Sequence, residues 1–160
     1  PVVLALRPNI PELSKYIFHL IDPNFAARAA QMGESVIVTG DNYAQGSSRE
    51  HAAIGCMQLG VQAVLVKSIH RIHRGNLINY GVLPLIFEDS ADYDAVTPGD
   101  KLKIAGVAAQ IRTSHRVEVE NVTRGTKFFA KAELSDDELA VLSIGGLLPY
   151  IASRQKGAVV

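Results

Sequence analysis

The sequence is poor in the residues that staple or anchor a chain. It holds one cysteine, Cys56, and no tryptophan in 160 residues. One thiol excludes an internal disulfide framework and fits a reducing compartment, so the expected location is cytoplasmic. One thiol by itself holds neither an iron–sulfur cluster nor a zinc ribbon. Neither sign of charge is in excess: 16 Lys and Arg balance 16 Asp and Glu. That balance argues against nucleic acid as a partner and against a solvated acidic arm. Long apolar runs are missing, which excludes a membrane-spanning helix. The first residues carry no basic segment with a following cleavage site. They also lack an initiator Met and begin in an apolar run, as expected of a piece of a longer chain.

What remains is an ordinary soluble composition, 48% hydrophobic and 20% charged, in a length that suits one domain with a real core. Residues 2–6 read as a strand broken by Arg7-Pro8. Residues 12–20 suit a short helix. Asp22 and Pro23 suit the cap and first position of a second helix that Gly33 stops. Strands are expected at 36–38, 63–66 and 82–87. Helices are expected between them, from Arg49 or Glu50 to Leu59 and, capped by Ser68, from Ile69 to Tyr80. This alternation predicts parallel β-α-β units with right-handed crossovers. Pro84 suggests an edge or strand-end position for the third strand. Beyond an acidic loop, residues 101–115 and 116–131 read as two strands, with a further hairpin near Thr123–Thr126. Ser135-x-x-Glu138 has the form of a capping box opening a last helix, and the tail past Ile151 is expected to fray.

The chemistry concentrates where the first of these strands runs into its helix, at GDNYAQGSSREHAA. A helix N-terminus presents unpaired N–H groups and the positive end of its dipole. Ser47, Ser48 and Arg49 add two hydroxyls and a guanidinium able to fork onto a carboxylate. No Gly-Lys-Ser/Thr follows, the glycine spacing is not that of a dinucleotide fingerprint, and no Gly-x-Ser-x-Gly elbow is present. From spacing alone a plain helix cap remains the simpler reading. His51 reads as a structural histidine and Cys56 as a small buried apolar residue. His70, Arg71, His73 and Arg74 form a basic cluster, read either as a solvated helix face or as a surface meeting a carboxylate or another domain. His70 and His73 have no third ligand that would make a metal site.

These residues, with LGVQAVLVKSIHRIHRGNLINYGVLPLIF and DYDAVTPGD after them, resemble the swivelling C-terminal domain of the aconitase superfamily. The resemblance is densest from Val36 to Asp100. It departs from the family pattern at Ala44, where a loop glycine is usual, and at Ile69-His70, where Phe-Ala is usual. It implies an α/β fold, a three-layer swivelling β/β/α domain with a parallel β-α-β core and an added β-hairpin region. It implies a hydro-lyase in which Ser47 is the catalytic base, and Ser48, Arg49 and Arg7 bind the substrate. It also implies a four-iron–four-sulfur cluster held by a separate cluster-bearing part, either other domains of the same enzyme or a large subunit. None is expected in this chain, and the isolated chain is expected to be inactive. The iron would act as Lewis acid on the leaving hydroxyl. A serine needs a stabilised alkoxide to act as a base, and a helix N-terminus with arginines nearby suits that need.

The loop Asn-Tyr, the Arg-Ile-His helix and the Asp-Tyr-Asp…Pro-Gly-Asp segment look more like aconitase than like an isopropylmalate isomerase small subunit, and that resemblance implies an aconitate hydratase with a tricarboxylic acid substrate, interconverting citrate and isocitrate. The family's Asp-x-x-Thr-Asp-like opening segment is not seen ahead of Pro1, which favours an excised C-terminal fragment over a complete small subunit. The alternative in the same class is the small subunit of a 3-isopropylmalate or homoaconitate isomerase. A third reading, a non-catalytic anion- or RNA-binding module, is disfavoured by the neutral charge.

Overall fold

The computed structural model describes residues 6, 8–46 and 49–156. Its framework is one mixed six-stranded sheet in the order β1-β2-β3-β6-β5-β4, formed by Ser35–Thr39, Val61–Val66, Leu83–Phe87, Leu102–Lys103, Arg116–Asn121 and Thr126–Lys131, numbered along the chain. β1, β2 and β3 are parallel, and β6 joins β3 antiparallel through Ile86↔Lys131 and Phe87↔Ala130. The crossover helices are α3 (Glu50–Gln58) and α4 (Arg71–Asn79), after α1 (Ile10–Ser14) and α2 (Phe25–Met32). α5 (Val107–Ser114), α6 (Asp136–Ser143) and α7 (Leu147–Lys156) are the remaining α-helices among the described residues.

Strand alternation sorts the core onto the two faces of this sheet. Ile37, Val64 and Val66 pack with Ala53, Cys56 and Leu77 of α3 and α4. Leu65, Leu85 and Phe87 turn the other way. They meet Val117, Val119, Phe128 and Ala130 of the hairpin together with Ile111 of α5 and Leu139 of α6. The sheet curls around this second cluster. The layered α/β expectation holds, with the hairpin continuing the parallel sheet.

Three local expectations are corrected. Residues 101–115 form a two-residue strand and a helix, not one strand. Val107, Ala108 and Ile111 recur at helical spacing and all face the core, while Gly106 at φ 58 turns the chain out of β4. The tail past Ile151 continues as helix to Lys156. Asn24, not Asp22, occupies the cap position of α2. Asp22 instead accepts both Arg28 guanidinium nitrogens and the Asn24 N–H. Of the two positions expected for Pro84, the strand end holds, since it is the second residue of β3, and the edge does not, since β3 is an inner strand. Glu88 donates its N–H to Phe129 O of β6, so the same edge two and four residues back belongs to Ile86 and Pro84. β6 pairs only at residues 86 and 87, so proline removes no ladder bond at its position near the strand start.

The strand expected at residues 2–6 lies outside the described residues, apart from Leu6 in a helical turn. The helix expected at 12–20 is shortened to α1, with turns carrying on to Ile21.

Candidate functional site

The loop from β1 to α3 crosses the C-terminal ends of the parallel strands, where α/β sheets place ligands. It is fastened to the β2–α4 connection at several points. Lys67 donates its N–H to Gly40 O, and Tyr43 donates to Ser68 O. His70 donates to Tyr43 O, and Tyr43 and Ile69 form a parallel bridge. The Ser68 hydroxyl accepts the Asn42 N–H at 2.8 Å and donates to the Asp41 carboxylate at 3.2 Å. Ser68 therefore serves the loop and does not cap α4, whose cap position is His70. Asn42 and Ala44 both have positive φ, 57° and 62°, followed by Gly46 at 82°. The position where the family pattern has glycine is a left-handed one, and here an alanine fills it.

Of the expected site residues, Arg49 is the one the described structure places. It holds the cap position of α3 in extended conformation and is exposed. Among the described residues no carboxylate pairs with it. The next residue, Glu50, accepts a 2.5 Å hydrogen bond from the Tyr80 hydroxyl, which ties the first turn of α3 to the end of α4. Burial and that carboxylate push Tyr80 up to about 12. Ser47, Ser48 and Arg7 lie outside the described residues. Ser47 and Ser48 stand in sequence between Gly46 and Arg49, so both ends of their segment are placed.

Sequence reasoning passed over the residues that hold the loop from beneath. The Tyr43 ring packs against Phe18 and edge-to-face against His73. Burial, and then the neighbouring Cys56 thiol, raise the Tyr43 hydroxyl above its ordinary range. His73 is buried, not on a solvated face. The basic cluster thus divides. His70 and Arg71 are exposed, whereas Arg74 forks onto Glu138 at 2.8 and 3.0 Å and also donates to Glu133 O. The available signal was the Arg-Ile-His-Arg spacing itself, since positions 73 and 77 share a helix face with Leu77 in the core.

A four-iron–four-sulfur cluster does not fit the described residues of this chain. The single thiol, Cys56, is 2% exposed on the inner side of α3, and burial pushes it up to about 11. No group of three or more His, Cys, Asp or Glu among the described residues could hold a metal ion. An open cavity of about 300 Å³ lies elsewhere, between the ends of β3, β5 and β6, with Glu88, Arg116 and Lys131 in its wall.

Fold and loop together define a curled α/β domain built to present one loop–helix junction. Residues 20–90 match the family model described as the aconitase C-terminal domain. A 3-isopropylmalate dehydratase small subunit from Moorella thermoacetica is 37% identical over 148 residues, 92% of this chain and 81% of that protein. A probable mitochondrial aconitate hydratase from Dictyostelium discoideum is 36% identical over 137 residues, 83% of this chain and 18% of that protein. The crystal structure of a 3-isopropylmalate dehydratase from Methanocaldococcus jannaschii aligns with a TM-score of 0.75 at 29% identity, over 92% of this chain and 80% of that one. The chain belongs to the aconitase C-terminal domain family. It spans under a fifth of the first aconitate hydratases it matches. No helix among the described residues is long and apolar enough to cross a membrane. Several relatives are named as mitochondrial, so kinship does not carry the cytoplasmic expectation.

Proposed function

We propose that this chain is the substrate-gripping and proton-abstracting part of a hydro-lyase that interconverts citrate and isocitrate through cis-aconitate. The observation that supports the reading is the opening of α3. An exposed arginine stands at its cap position, and the loop that precedes it, whose sequence contains Ser47 and Ser48, is fixed at Gly40, Asn42 and Tyr43. In this reading Arg49 and Arg7 fork onto substrate carboxylates, and Ser48 donates a hydrogen bond. Ser47 takes the proton next to a carboxylate, its developing charge eased by the first N–H groups of the helix. The cluster belongs to a separate cluster-bearing part, whether other domains of the same enzyme or a large subunit, so this chain alone turns nothing over.

A second reading, the small subunit of a 3-isopropylmalate dehydratase, is favoured by extent of alignment. Two such subunits are matched over 81% and 79% of their length. Both readings share the same site and differ in substrate. The test is to reunite the chain with its cluster-bearing part and assay citrate, isopropylmalate and homocitrate. Turnover of one of them identifies the reading, and turnover of none by a correctly assembled enzyme overturns both. Ser47→Ala is expected to lower kcat by about a hundredfold or more with the fold retained, the scale of a lost acid–base group. Undiminished kcat in that variant removes the base assignment.

A further inference from the structure

Beneath the loop lies a buried side chain with two unsatisfied polar atoms. His73 of α4 is 1% exposed, and neither of its ring nitrogens has a hydrogen-bond partner among the described residues. A neutral imidazole carries one N–H and one lone pair, so a donor and an acceptor both go unpaired. Such burial is destabilising, and a leucine or methionine would fill a similar volume without it. Packing alone therefore does not account for an imidazole here.

Its neighbour does. The ring meets Tyr43 edge-to-face with centroids 5.2 Å apart, a geometry in which a ring edge points at a π face. Tyr43 is the residue on which the loop's path depends. It stands between left-handed Asn42 and Ala44, and its N–H and C=O are bonded to Ser68 O and the His70 N–H. Displacing its ring strains the bonds that hold both left-handed neighbours. We propose that His73 is a positioning residue for the loop leading into α3, acting through Tyr43 and only as a neutral ring.

Geometry gives the proton nowhere to be balanced. Tyr43 of the loop faces the ring, with Cys56 of α3 beyond it, and both are held uncharged by burial. His70 lies one turn back on the same segment, and Arg74, next along α4, is occupied by Glu138 of α6. Burial, and then the His70 charge, hold His73 below the ordinary histidine value of 6.5. The loop is therefore in place above that midpoint and released as pH falls through it.

The role in turnover rests on the hydro-lyase reading, but the coupling is read without substrate, so the two fail separately. Amide and imidazole signals of the full chain are followed by NMR from about pH 8 to about pH 5. The expected result is that Asn42, Tyr43 and Ala44 titrate with the His73 ring at one midpoint below 6.5. His70→Gln should keep that titration and move its midpoint up. Tyr43→Leu should leave His73 titrating while the loop no longer follows. His73→Leu should abolish the loop titration, and in the assembled enzyme remove the corresponding acid limb of kcat. Loop signals that ignore the His73 titration, or the same titration persisting in His73→Leu, overturn the proposal. If His73→Leu does not fold, the wild-type, His70→Gln and Tyr43→Leu measurements decide it.

Discussion

Ala44 occupies a left-handed conformation that disfavours every side chain with a β-carbon, by about 1–2 kcal/mol. The loop holds it there through the bonds on either side, at Asn42, Tyr43 and His70. Ala44→Gly should stabilise the protein by about 1 kcal/mol, after the greater freedom of glycine in the unfolded chain is counted. A higher urea midpoint at unchanged slope is the expected reading, and an equal or lower midpoint would show that the strain is not there. The Ile69-His70 departure has a simpler account. His70 contributes a backbone N–H to the loop, which any residue but proline supplies, and Ile69 packs against the α3–α4 cluster.

Two pieces of secondary structure hang on single carboxylates. Glu138 closes the capping box of α6 with Ser135 and also receives the Arg74 fork from α4. Glu138→Ala removes both and should lower stability by about 2 kcal/mol. A double-mutant cycle with Arg74→Ala separates the shared part, and strict additivity would mean the fork contributes nothing. At the turn of the β5–β6 hairpin, Asp100 accepts from Thr97 N, Asn121 Nδ2 and Arg124 Nε. Those bonds, the Thr97 N–H first, hold its carboxyl down to about 2 against an ordinary 3.8. The folded value is depressed, so its stabilisation is complete above 3.8 and is lost as pH falls toward 2. Denaturant midpoints taken down that range should drop less steeply in Asp100→Asn than in the parent, and parallel curves would exclude Asp100 as the cause.

The strands, crossover helices and capping box were legible because local pattern and tertiary demand agree there. Val36–Val38 and Ala63–Val66 are apolar runs bounded by glycine or polar residues, and Ser135 with Glu138 names its own geometry. Residues 107–114 were not legible as helix, because Val, Ile and Thr argue for a strand while the spacing of the core-facing residues argues for a helix. Ser68 misled for a related reason: a serine ahead of an apolar-periodic run looks like a cap, and its true partners lie 26 and 27 residues earlier. In the candidate site, residue types were readable and support was not. Nothing in the spacing of Tyr43 and His73 announces that their rings meet.

At the scale of the molecule, the sheet is written in two instalments. β1, β2 and β3 come first and are contiguous in the sheet, whereas β6, which closes the free side of β3, is made last of all the strands. If β1, β2 and β3 pair before Lys131 has been made, β3 is an outer strand of that three-stranded sheet, with an open flank. Such a flank invites pairing with another chain. Pro84 stands on that flank and offers no N–H to a stranger, while its true neighbour never asks for one. Pro84→Val should therefore leave the melting temperature close to that of the parent yet lower the soluble yield in chaperone-free translation. Equal yields would dismiss the idea. The proline that looked out of place in an inner strand is in these terms a guard for the interval before the domain is whole.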